Sequence, residues 1–129
     1  MKVLIATQKP FAAAAVKGIR EILEGAGHEV VLLEKYAEAK DLIDAVADVE
    51  AMIIRSDKVT PEVLDAAKKL KIVVRAGAGF DNVDLAAATA HGVVVENTPG
   101  QNANAVAELA IALMIFMSRN QFTPVSGIE

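Results

Sequence analysis

Five short apolar runs, most of them rich in β-branched residues, punctuate the chain: Val3–Ala6, Glu29–Leu33, Ala51–Ile54, Ile72–Val74 and Val93–Val95. They are apolar almost throughout instead of alternating with polar positions, which is the pattern of parallel strands buried on both faces. Between them lie segments with helical spacing, at about Phe11–Glu24, Ala37–Ala47, Pro61–Leu70, Leu85–Ala90 and Asn102–Arg119. Thr60-Pro61-Glu62 offers an N-cap hydroxyl, a proline for the first helical position and an acid for the positive helix end. Asp84 is placed to cap the helix from Leu85, and Gly92 follows its last turn. Gly25 and Gly27 bracket the end of the first long helix. Strands alternating with helices imply right-handed crossovers and a parallel sheet covered on both faces. Five of each in this length predict an α/β, flavodoxin-like three-layer sandwich whose five-stranded parallel sheet has the order 2-1-3-4-5.

Composition narrows the chemistry. At 129 residues the chain suits one compact domain and is short for a two-domain enzyme. It has no cysteine, which excludes disulfides, a thiolate-held metal and a cysteine nucleophile. Two histidines, His28 and His91, leave little for a zinc site. The net charge of −4 argues against a non-specific nucleic-acid or anionic-membrane binder. Twenty-four alanines explain how so apolar a chain carries so few aromatics. No signal peptide is visible, and Ala103–Met117, the most apolar later stretch, is interrupted by Glu108 and too short for a membrane span. The expectation is a soluble, cytoplasmic protein of a reducing compartment.

In open parallel sheets ligands bind outside the carboxyl ends of the strands. There the sequence places Thr7-Gln8-Lys9, Arg55-Ser56, Arg75-Ala76-Gly77-Ala78-Gly79 and Asn97-Thr98-Pro99-Gly100-Gln101-Asn102. No carboxylate lies among the residues immediately following the first, third and fourth strands. Guanidinium forks match carboxylate or phosphate, and a glycine loop lets main-chain N–H groups approach an anion. A helix beginning near Asn102 would turn its positive end to the same place. Taken singly, each arginine also reads as a surface charge, Arg55 paired with Asp57 and Arg75 with Asp81 or Asp84. Convergence on one edge favours an anion site.

Other motifs fail. Gly77-Ala-Gly79-Phe-Asp-Asn82 begins like a dinucleotide fingerprint, but Asn82 stands where the third glycine belongs, and the motif follows the fourth strand. A phospho-acceptor receiver would need acids where Thr7 and Arg55 stand. Gln8-Lys9-Pro10 is not a flavin phosphate loop. His28 and His91 read as structural, and Tyr36 and Phe80 as packing. No metal site and no catalytic acid–base pair is expected.

Three motifs, IIRSDKVTPEVL around Arg55-Ser56, RAGAGFDNVD from Arg75 to Asp84, and NTPGQNANAVAE from Asn97 to Glu108, resemble the N-terminal substrate-binding domain of the NAD-dependent D-2-hydroxyacid dehydrogenases. Within that family the likeness is to the phosphoglycerate-oxidising branch of serine biosynthesis, and it runs from Met1 to Glu129. The resemblance implies that the backbone of Ala76 and Gly77 holds the substrate carboxylate. It implies that Arg55, Ser56, Arg75 and Asn102 bind the anionic ends, and that Ala78 and Val106 face the nicotinamide. The family's catalytic Arg, its Glu–His pair and its GxGxxG loop lie in a second domain and have no counterpart here. Glu96 stands where relatives are often apolar.

The resemblance thus predicts a substrate-binding domain over 1–100, an inter-domain crossover helix over 101–120 and a linker over 121–129 cut before an absent cofactor-binding domain. Such a fragment is expected to be inactive alone and to hold no cofactor itself, with NAD bound by the parent. Its expected partners are a small 2-hydroxy or 2-keto acid and the missing domain. The nearly all-apolar segment Ala110–Met117 suits burial on every side, so the helix over 102–119 is expected to fold back or to exchange between two chains as a homodimer. A stand-alone binding module for a small organic anion, or a structural fold fragment, are the alternatives.

Overall fold

The computed structural model describes residues 1–9, 12–77, 82–98 and 103–118. In chain order the elements are β1 (Lys2–Thr7), α1 (Ala13–Gly25), β2 (Glu29–Glu34), α2 (Ala39–Ala45), β3 (Ala51–Ile54), α3 (Pro61–Ala66), β4 (Ile72–Ala76), α4 (Leu85–Ala90), β5 (Val94–Thr98) and α5 (Ala103–Ser118). All strand pairs are parallel and the sheet order is β2-β1-β3-β4-β5, as the strand–helix alternation predicts.

Pleating divides the strand residues between two cores. Val3, Ile5, Ile53, Val74 and Ala76 face α1, where Val16, Ile19 and Leu23 pack against them. Leu4, Ala6, Met52, Ile54 and Val73 face the other way, onto Leu42 of α2, Val63 and Leu64 of α3 and Ala88 of α4. Continuous apolar runs are required because both faces are covered. Val106, Ala107 and Ala110 of α5 are fully buried in the α1-side core. Helix α5 packs against α1, β3 and β4. Among the described residues no helix is long and apolar enough to cross a membrane.

Local chemistry sets the helix ends. Thr60 Oγ1 accepts from the Val63 N–H at 3.4 Å, with Pro61 in the first turn. Asp84 Oδ1 accepts from the Ala87 N–H at 2.9 Å, and Gly92 leaves α4 at φ 71°. Glu38 and Asp41 form a reciprocal capping box on α2. Helices α2 and α3 are shorter than their apolar spacing suggests. Buried Ala67 and Leu70 complete the core from a turn after α3. The strands run further than their apolar runs, β4 through Arg75 and Ala76 and β5 through Glu96 to Thr98. The parallel ladder joins main-chain groups and tolerates polar side chains at its end.

Candidate substrate-anion site

Register brings the candidate residues together. One row crosses the sheet through Ala6, Ile54, Arg75 and Asn97. Arg55 follows directly on β3, and Ala76 pairs with Thr98 in the next row. The connections leave β1 and β3 towards opposite sides of the sheet, which makes their carboxyl ends the topological switch point.

That crevice is bridged by the chain itself. Asp57, third residue after β3, is 2% exposed. Its Oδ2 accepts from the Gln8 N–H at 2.9 Å and from the Tyr36 hydroxyl. Its Oδ1 accepts from the Arg55 N–H at 3.2 Å. Arg55 Nη1 donates to the Lys9 carbonyl at 3.0 Å, a second bridge from β3 to β1. A carboxylate therefore does belong to this edge, buried beneath it. The Arg55–Asp57 bond comes from the Arg55 main-chain N–H. Burial first, and then the bond to Asp57, push the Tyr36 phenol above its ordinary range, so it remains a protonated donor.

The arginines meet through the main chain. Arg75 Nε donates to the Arg55 carbonyl at 3.0 Å. Asn82 Nδ2 donates to the same carbonyl at 3.2 Å and to the Asp57 carbonyl at 2.6 Å. A bridge between Val59 and Val83 holds Asn82 there, through Val59 N–H to Asn82 carbonyl at 2.9 Å and Asp84 N–H to Val59 carbonyl at 3.0 Å. Asp84 is occupied capping α4, and Asp81 lies outside the described residues. Ser56 is exposed and lines a cleft of about 170 Å³ with Gln8, Tyr36, Leu42 and Lys58.

Gly77 ends β4 at φ 156°, a conformation L side chains rarely adopt, and an added Cβ would lie 3.8 Å from the Arg75 guanidinium carbon. Its N–H donates to the Thr98 carbonyl at 3.0 Å and its carbonyl accepts from Asn97 Nδ2 at 3.2 Å. The Gly77 N–H expected to hold a carboxylate is thus already used by the sheet, so an anion would share it. Val106 is fully buried in the core with Ile53 and Val74. Ala78 and Asn102 lie outside the described residues.

Both histidines are structural in their placement. His28 Nδ1 lies 3.2 Å from the terminal amine. His91 caps α4, Nδ1 donating to the Ala87 carbonyl at 2.8 Å while Nε2 lies 2.8 Å from Asp65 Oδ1. Among the described residues no three acids or histidines gather as a metal site. Asp57, Tyr36 and Asn82 are the candidate-site residues that sequence reasoning missed, whereas Asn97 is among those the sequence places at this edge. The one available signal is that all but Tyr36 lie within three residues of β3, β4 or β5 or in the loop directly beyond the glycines.

With this geometry in place, the comparisons with known proteins fall on the same segment. The family model for the catalytic domain of D-isomer specific 2-hydroxyacid dehydrogenases matches residues 4–123. The chain is 46% identical over 101 residues to D-3-phosphoglycerate dehydrogenase of Sus scrofa, covering 78% of this chain and 19% of that protein. It is 44% identical over 120 residues to the Archaeoglobus fulgidus enzyme of the same name, covering 92% and 21%. Among solved structures, NAD+-bound 3-phosphoglycerate dehydrogenase of Entamoeba histolytica superimposes with a TM-score of 0.77 at 57% identity, covering 90% of this chain and 38% of that one. The chain spans about a fifth of the length of the curated relatives it matches.

Proposed function

We infer the function from one premise: the chain belongs to the D-isomer specific 2-hydroxyacid dehydrogenase family. We propose that it is the substrate-binding part of an oxidoreductase that interconverts 3-phosphoglycerate and 3-phosphohydroxypyruvate. The observation that carries this reading is the pair Arg55 and Arg75 on the carboxyl edge, joined by the 3.0 Å bond from Arg75 Nε to the Arg55 carbonyl. Two guanidinium groups held on one frame suit a substrate with an anionic group at each end, because each fork pairs with a carboxylate or phosphate.

NAD does not fit the described residues. A dinucleotide-binding half opens with a glycine loop after its first strand, whereas β1 runs into Thr7-Gln8-Lys9, and Val106 is buried. No hydride step is assigned to this chain. In this proposal NAD and the catalytic acid–base residues are supplied by a second domain, and the chain by itself does not turn over NADH.

Titration calorimetry with 3-phosphoglycerate and 3-phosphohydroxypyruvate tests the reading. Saturable binding of either acid, with no NADH consumption by the pure chain, is the expected result. Absence of binding, or turnover by the chain alone, would contradict it.

A further inference from the structure

The hydrogen bonds beneath the anion edge converge on one group. Burying a carboxylate is costly unless donors replace its water, and Asp57 receives three: Gln8 N–H, the Tyr36 hydroxyl and Arg55 N–H. From it the network passes to both arginines. The Arg55 main chain is held directly, and its carbonyl accepts from Arg75 Nε at 3.0 Å and from Asn82 Nδ2 at 3.2 Å.

A second observation points the same way. Lys35, directly after β2, has φ 55°, the single positive value among non-glycine residues of the described chain. A left-handed lysine costs about 1 kcal/mol or more. Its N–H donates to the Thr7 carbonyl at 3.0 Å, and the next residue is Tyr36, whose hydroxyl reaches Asp57. The backbone is strained where the turn delivers that donor.

We propose that Asp57 and Tyr36 are positioning residues, a buried clamp that holds the Arg55 main chain, and through its carbonyl the Arg75 guanidinium, at the spacing a two-ended acid requires. The proposal rests on the substrate-binding reading above. In this proposal both act through the arginines and not by binding the ligand themselves.

Two effects of Asp57→Asn have opposite signs. Removing a negative charge beside a cationic site strengthens binding of any anion. The amide keeps one acceptor oxygen and turns the other into a donor, which must then face either the Arg55 N–H or the Gln8 N–H and Tyr36 hydroxyl. This loosens the arginine spacing and weakens only a ligand that needs both arginines at once. Calorimetry of the full chain with 3-phosphoglycerate and, separately, inorganic phosphate reads the difference, with thermal melts confirming the fold. D57N is expected to bind 3-phosphoglycerate ~10-fold more weakly, the worth of one charge-assisted hydrogen bond, and inorganic phosphate at least as well as wild type. Y36F, which leaves the carboxylate and its two main-chain donors in place, is expected to lose ~3-fold for 3-phosphoglycerate alone.

An unchanged ratio of 3-phosphoglycerate to inorganic phosphate affinity in D57N would overturn the clamp while leaving the substrate reading intact. A wild-type chain that binds no 3-phosphoglycerate would sink the substrate reading and the clamp with it. Should D57N melt below the working temperature, Y36F decides: selective loss supports the clamp and wild-type affinity overturns it.

Discussion

The two ends of the sheet are both charged, and they use charge differently. At the amino end, ion pairs join side chains that are exposed or half-exposed. Lys2 Nζ meets Asp48 at 2.7 Å and Glu29 at 3.9 Å, and Lys71 Nζ meets Glu50 at 3.8 Å. At the carboxyl end, side chains bond main-chain groups: Arg55 to Lys9, Arg75 to Arg55, Asn82 to Arg55 and Asp57, Asn97 to Gly77. Exposed pairs are screened and contribute little. Bonds to the backbone fix where loops lie, so the carboxyl end is organised to hold a shape and the amino end to keep a surface solvated.

The largest change should come from the core that carries both ends. Ile53 is fully buried between the cores' strands, and Ile53→Ala is expected to cost ~2–5 kcal/mol in chemical denaturation, through lost burial and the cavity left behind. It would lower stability without distinguishing the ends. Arg75→Ala sharpens the contrast. Loss of ~100-fold in 3-phosphoglycerate affinity, about 2.7 kcal/mol, is expected for a half-buried, hydrogen-bonded charge that meets its ligand. Lys2→Ala at the other end should leave both melting temperature and affinity at wild-type values. A binding defect in K2A equal to that of R75A would break the comparison.

The smallest effects are those of pH, and the two histidines act with opposite signs. His91 is raised from its ordinary value of 6.5, first by its bond to the Ala87 carbonyl and then by Asp65. Its stabilisation is whole below about pH 6.5 and is lost as pH rises through the raised folded value. His28 is lowered from the same value, first by burial and then by the nearby terminal amine. Its neutral form is favoured by folding, so its contribution is present above about pH 6.5 and lost as pH falls through the lowered folded value. Melting temperature against pH should therefore flatten on the alkaline side in His91→Gln and on the acid side in His28→Gln.

Most of the architecture is legible in the chain because it depends on local periodicity. A run such as Ala51–Ile54 is apolar on both faces, and a segment bounded by Thr60-Pro61 or Asp84 carries its own helix start. Strand succession then places Arg55, Ser56, Arg75 and Gly77 on one edge with no knowledge of their contacts. What escapes is whatever depends on distant partners. Asp57 looks like any surface acid until Tyr36, 21 residues away, and Gln8, 49 away, enclose it. Asn82 breaks a nucleotide fingerprint and gains meaning only from the Val59–Val83 bridge. Val106 shows the same limit: α5 is apolar on nearly every side, so its sequence does not say which residues face the sheet.

Amide and arginine side-chain NMR of the 129-residue chain during titration with 3-phosphoglycerate tests the central claim most directly. The account predicts saturable shifts at Gln8, Arg55, Ser56, Arg75 and Gly77, with Lys2, Asp48, Glu50 and Lys71 unmoved. Shifts confined to the amino end, or none at Arg55 and Arg75 at saturating ligand, would contradict it.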